Sequence, residues 1–158
     1  DLDYLIVDMP PGTGDIQLTL SQQVPLTGAV VVTTPQDIAL IDAKKGLRMF
    51  QKVNVPILGI IENMSVFICP HCGEVEHIFG EGGAKRMSEQ YGVPLLGELP
   101  LSAKIREQAD SGLPTVAAEP DGKEALMYRE MAMKVAGALA RITKDYTAKM
   151  PGIRVVND

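Results

Sequence analysis

Apolar residues in this chain fall into short continuous runs, separated by longer stretches in which they recur every three or four positions. The runs are Leu2 to Val7, Gly28 to Thr34, Pro56 to Ile61 and Val93 to Leu99. An unbroken, largely β-branched run reads as a strand covered on both faces, which is the habit of parallel sheets. Between the runs, Leu40, Ala43, Leu47 and Phe50 mark one helix and Ala84, Met87 and Tyr91 another. Tyr128, Met131, Val135, Ala138 and Ile142 form one stripe of a last helix predicted over Lys123–Lys144. Pro56 and Pro94 stop the first two helices and open the strands that follow. Strand alternating with helix predicts an α/β fold, a mostly parallel sheet with helices on both faces and right-handed crossovers. Residues 1–144 read as one domain with an irregular insertion at 65–83 that carries both cysteines and both histidines. Residues 145–158 lose the helical period and read as a C-terminal tail.

Composition narrows the partners. With 158 residues, 46% of them hydrophobic and 22% charged, the chain can bury a core without staples. Fifteen basic against twenty acidic residues give a formal charge of −5, and no Lys/Arg block forms a phosphate-backbone footprint. Three Phe, four Tyr and no Trp offer no base-stacking platform, so nucleic acid is not an expected partner. No run approaches the roughly 18 apolar residues of a membrane span, so no membrane partner is expected and cytoplasm is the default location. The chain opens on Asp1 and enters a strand at once, which leads us to expect that residues upstream are absent.

The first chemical signal is Asp8-Met9-Pro10-Pro11-Gly12-Thr13-Gly14-Asp15, directly after the first apolar run. A strand that delivers a carboxylate into a Pro/Gly turn can hold Mg²⁺ beside a phosphate, and glycines let backbone N–H groups approach the anion. Pro10 and Pro11 stiffen the turn, and the glycines leave a part that rearranges when phosphate departs. Asp15 is a candidate for placing water, for touching a partner subunit, or for capping a helix that begins near Ile16. Asp8, Thr33 to Gln36 and Glu62-Asn63 all fall at carboxyl ends of strands, where open α/β sheets gather ligands. Ser21, Asp37 and Ser102 read as caps or turn residues, and Asp42 as a solvated one. No stretch of the chain supplies the Gly-rich loop ending in Gly-Lys-Ser/Thr that completes a phosphate site.

Cys69-Pro70-His71-Cys72-Gly73 is the second signal. Two thiolates from one short loop can share a metal, yet structural zinc and iron–sulfur clusters ordinarily take four ligands and the chain has two Cys. A two-fold dimer would supply the other pair, and completion by His71 and His77 is the single-chain zinc alternative. The same tetrapeptide also serves thiol–disulfide exchange at a helix N-terminus, but Glu74 to Phe79 alternates like a short strand, which argues against that use.

These segments resemble the C-terminal half of the Mrp/ApbC family of iron–sulfur cluster carriers, within the MinD/ParA-like group of P-loop ATPases. Leu2 to Asp15 resembles the family's Walker B and switch II segment, Thr33 to Leu40 its next strand-end signature, and Glu62-Asn63-Met64-Ser65 its approach to the cysteines. Ile78-Phe79-Gly80, Leu99-Pro100-Leu101 and Ile105-Arg106-Glu107 follow in the same order, so the likeness runs from about Leu2 to Ile142. The resemblance implies that Asp8 organises Mg²⁺, Gly12 senses the γ-phosphate of ATP, Asn63 reads the adenine edge, and Pro100 and Leu101 flank the base. It implies that Cys69 and Cys72 bridge a [4Fe–4S] cluster with the same pair of a second subunit, in a homodimer formed through this loop. Members pass the cluster to apo iron–sulfur proteins, with ATP binding and slow hydrolysis linked to the cycle. The family's Walker A loop and its strand, which lies inside the sheet, have no counterpart here. The chain alone is therefore expected to be an inactive ATPase with an uncovered sheet edge. A zinc-stabilised interaction module and a MinD/ParA-like regulatory ATPase are the alternatives.

Overall fold

The computed structural model describes residues 2–10 and 14–142. In chain order the elements are α1 (Asp15–Gln23), β1 (Ala29–Thr33), α2 (Asp37–Lys52), β2 (Ile57–Glu62), β3 (Phe67–Ile68), β4 (Val75–Glu76), α3 (Gly83–Tyr91), β5 (Leu95–Glu98), α4 (Ala103–Asp110), α5 (Thr115–Ala118) and α6 (Lys123–Ala140). The main sheet is parallel throughout, in the order β1-β2-β5, with Thr33 opposite Glu62 and Glu62 opposite Glu98. β2 and β5 each follow a helix, α2 and α3, that packs back onto the strand, as parallel pairing requires. β3 and β4 form a separate antiparallel pair, Phe67 opposite Glu76 and Ile68 opposite Val75.

The core joins sheet to helices. Val31 and Ile60 from the strands meet Leu40 and Leu47 of α2, Ala84 and Met87 of α3, and Val93. Leu47 and Ile60 are wholly shielded from solvent. α6 has no member in that cluster and packs on β5 and β2 instead, so helices flank the sheet on both sides. Its Met131 fills the space above Gly97, where a Cβ would come within 2.5 Å of Met131 Cγ. α3 ends at Gly92, whose left-handed φ of 63° lets its N–H reach Ser88 O before Pro94 opens the next strand.

Three expectations change. Leu2–Val7 is not a strand, and Leu5 and Ile6 are 78% and 89% exposed. The reason is that β1 pairs with β2 alone among the described residues, and nothing fills the position on its other side through which Leu2–Val7 could join the sheet. An apolar run without a hydrogen-bonded neighbour gains neither ladder nor cover. The last helix stops at Ala140 rather than Lys144, and residues 143–158, with the expected tail, lie outside the described residues. Two short helices, α4 and α5, lie in a stretch whose apolar positions are too few to announce them.

Candidate functional site

A cleft of about 400 Å³ runs along β1, lined by Val30–Thr34, by the facing side of α2, by Asn63 after β2, and by Met9, Pro10 and Gln17. Of the residues expected to converge at the strand ends, Thr33, Thr34 and Asn63 line it, whereas Asp8, Pro35, Gln36 and Glu62 do not. The turn is tied in by Gln17, whose Nε2 donates to Pro10 O at 2.8 Å while the side chain is buried in α1. Sequence reasoning passed over Gln17; its only signal is an amide between Ile16 and Leu18. Thr34 Oγ1 donates to Gln36 Oε1 at 2.8 Å, which shapes the β1–α2 connection.

Asp8 is exposed, at the entrance to this turn. No set of three or more His, Cys, Asp or Glu side chains gathers as a metal shell among the described residues. Gly12 lies outside the described residues, as does the side chain of Asp15. The backbone places Asp15 as the first residue of α1, with Gly14 rather than Asp15 in the N-cap position. Acidic residues favour that first turn because the helix N-terminus carries partial positive charge. Asp42 is solvated and pairs with Lys45 at 3.0 Å, and Ser102 caps α4 by accepting from Ile105 N–H at 3.4 Å. Ser21 does not cap; its hydroxyl donates to Gln17 O inside α1.

Asn63 leaves the sheet just after β2. Its N–H donates to Thr33 O at 2.7 Å, and its Oδ1 accepts from Met64 N–H at 2.9 Å. With the oxygen so engaged, the amide NH₂ is left to donate toward an acceptor such as a purine ring nitrogen. Pro100 and Leu101 do not line the cleft; they sit beside the start of the cysteine segment, where Leu101 N–H donates to Val66 O at 2.8 Å. The preceding Glu62 is a carboxylate only 1% exposed, and its Oε2 accepts from Ala84 N–H at 2.6 Å in the first turn of α3. The sequence signal for Glu62 was a charge closing an apolar run, a placement that a helix N-terminus makes tolerable.

Cys69 and Cys72 are free thiols at the tip of the β3–β4 hairpin, Cys69 half-buried and Cys72 exposed. Cys69 N–H donates to Glu74 O at 2.8 Å and Gly73 N–H to Cys69 O at 2.9 Å, and Gly73 turns the chain at φ 76°. The N–H groups of Cys72 and His71, and the Cys72 thiol, hold the Cys69 thiol below its ordinary range against the opposing effects of desolvation and Glu76. The thiolate is the form in which cysteine binds metals. Cys69 follows a strand rather than opening a helix, unlike a thiol–disulfide exchange site. His77 turns its Nδ1 to Ser65 O at 3.3 Å, and no shell of Cys69, Cys72, His71 and His77 forms. Each chain therefore offers two sulfur ligands, half of what a cluster or structural zinc takes.

A parallel sheet flanked by helices is the architecture this chain shares with P-loop NTPases. A nucleotide-binding protein from Archaeoglobus fulgidus, solved in complex with ADP and with Co found in it, superposes with a TM-score of 0.67 at 36% identity, over 80% of this chain and 51% of that one. The Pyrococcus furiosus cell division ATPase MinD superposes with a TM-score of 0.55 at 26% identity, over 70% and 43%. The chain belongs to the ParA family of NUBPL iron-transfer P-loop NTPases, whose family model matches residues 1–136. It is 62% identical over 133 residues to the iron–sulfur cluster carrier protein of Pseudomonas fragi, covering 84% of this chain and 46% of that relative. The chain thus spans about half the length of the proteins it matches.

Proposed function

We propose that this chain is the cluster-holding part of an ATP-dependent iron–sulfur carrier, in which a [4Fe–4S] cluster is cargo passed to apo iron–sulfur proteins. The observation that carries the reading is the exposed hairpin with two free thiols, one of them biased toward thiolate, with no third His, Cys, Asp or Glu completing a metal shell among the described residues. Two such hairpins across a two-fold axis make a four-sulfur cradle, and Ile68, Val75 and Ile78, all more than half exposed, give each hairpin an apolar collar for the second copy. A cluster shared between subunits is released by parting them, which suits a carrier better than enclosure within one chain.

The nucleotide part follows the same logic. Asn63 reads the base, Pro100 and Leu101 flank it, Gly12 senses the terminal phosphate, and Asp15 places water or touches the partner subunit. Asp8 contributes one carboxylate toward Mg²⁺, while phosphate oxygens and a separate Gly-rich loop supply the other ligands. ATPase turnover is accordingly slow in the whole carrier and absent from this chain alone. Residues 1–144 are its share of the NTPase domain, with 65–83 as the cluster-binding insertion and 145–158 as a tail. No helix among the described residues is long and apolar enough to cross a membrane, which is compatible with the cytoplasm as the site of action.

Anaerobic reconstitution followed by iron, sulfide and zinc analysis tests the reading. The expected result is one [4Fe–4S] cluster per two chains, lost in Cys69→Ser and in Cys72→Ser. Zinc bound in place of iron, or a cluster that survives Cys69→Ser with unchanged stability, refutes it.

A further inference from the structure

The parallel pairing of β2 with β5 does not stop at Glu62 and Glu98. Leu99 N–H donates to Glu62 O at 2.8 Å, Ser65 N–H to Leu99 O at 2.9 Å, and Leu101 N–H to Val66 O, and Phe67 bridges Leu101 in parallel. Asn63 and Met64 are looped out of this extended ladder, Met64 in the left-handed region at φ 56°. One continuous stretch therefore runs from the base-facing Asn63, along the Leu99–Leu101 loop, to Ile68 and directly into Cys69. Ser65 is the junction. It is 8% exposed, gives both its N–H and its hydroxyl (3.1 Å) to Leu99 O, and turns its own carbonyl toward His77 on the returning limb. The returning limb is fastened in turn, by Glu62 to Ala84 and by Gly83 against Pro35, where a Cβ would lie 2.9 Å from Pro35 O. No hydrogen bond joins Leu2–Pro10 to residues 65–83 among the described residues.

We propose that the cysteine pair is positioned by the Leu99–Leu101 stretch, with Ser65 and Leu101 as the positioning residues. The inference rests on the roles proposed above for Cys69 and Cys72. The Leu101–Val66 hydrogen bond and the Ser65–Leu99 link fix where β3 starts, and β3 leads directly into Cys69.

The test uses the whole chain in two variants. Leu101→Pro removes the donor to Val66 O, and Ser65→Ala removes one of two donors to Leu99 O. The readouts are amide exchange at Cys69 and Gly73, and titration with Co²⁺ followed through its thiolate charge-transfer absorption. Leu101→Pro is expected to speed exchange at both amides by about tenfold and to weaken Co²⁺ binding comparably, and Ser65→Ala by about threefold. Unchanged exchange in α3 and α6 marks an intact fold. Should Leu101→Pro disturb those helices, Ser65→Ala decides alone. Exchange at Cys69 and Gly73 that matches the parent chain in Ser65→Ala overturns the proposal. The exchange readout needs no cluster: a chain that takes up no iron yet shows these shifts keeps the positioning residues and sinks the carrier reading.

Discussion

Two strand-like runs of this chain end in residues expected to meet a nucleotide, and their surroundings differ completely. Ile57–Glu62 lies between β1 and β5, with Leu58 and Ile60 buried, and its last residue grips α3. Leu2–Val7 is at least as apolar, yet among the described residues it has no strand beside it, and Leu5 and Ile6 stand in solvent. The difference teaches that apolar content makes a segment available to a sheet and that only a hydrogen-bonded neighbour makes it a strand. The two ends are also fastened differently: the stretch from Asn63 to Leu101 is pinned by backbone bonds, while Pro10 is held through the Gln17 side chain.

The comparison breaks most sharply in stability. Ile60→Ala is expected to cost about 3–4 kcal/mol in urea unfolding, through lost burial and an unfilled cavity, whereas Ile6→Ala changes stability by less than about 0.5 kcal/mol. A large effect at Ile6 would mean that the first run is buried after all. Next comes Glu62→Ala, which strands the Ala84 N–H in the interior and is expected to cost about 1–3 kcal/mol, with faster amide exchange at the start of α3. Ser102→Ala should remove only about 0.5–1 kcal/mol, since it deletes one helix cap on the rim of the base-side loop. The subtlest test is chemical. Because the Cys69 thiol is held below its usual range, its thiolate persists as pH falls, and mass-resolved alkylation should favour Cys69 over Cys72 increasingly from pH 8 toward about pH 6. Equal rates across that interval would remove the argument for a primed sulfur.

Much of this was legible in the sequence because the signals were local. The runs at Val31, Ile60 and Leu96 and the helical steps at Leu40, Leu47 and Met87 each announce their element and supply its buried residues. The cysteine pair was legible from its spacing, and its separation from any helix start from the alternation after Gly73. Three things were not. The strand state of Leu2–Val7 depends on a neighbour, which no property of those residues encodes. Glu62 and Gln17 are polar groups whose value comes from partners 22 and 7 positions away, Ala84 N–H and Pro10 O. The Ser65–Leu99 link joins residues 34 positions apart, and pairing at that range leaves no periodic trace.

Gly73 deserves a last word for what surrounds it. A side chain there would meet nothing within 4 Å, so the position asks only for a backbone of reversed handedness. A D-alanine installed by chemical ligation meets that demand and narrows the turn's freedom before the chain ever folds. The mirror-image residue would stiffen the fingertip that carries both sulfurs without touching either one, separating how tightly cargo is gripped from how readily the grip relaxes.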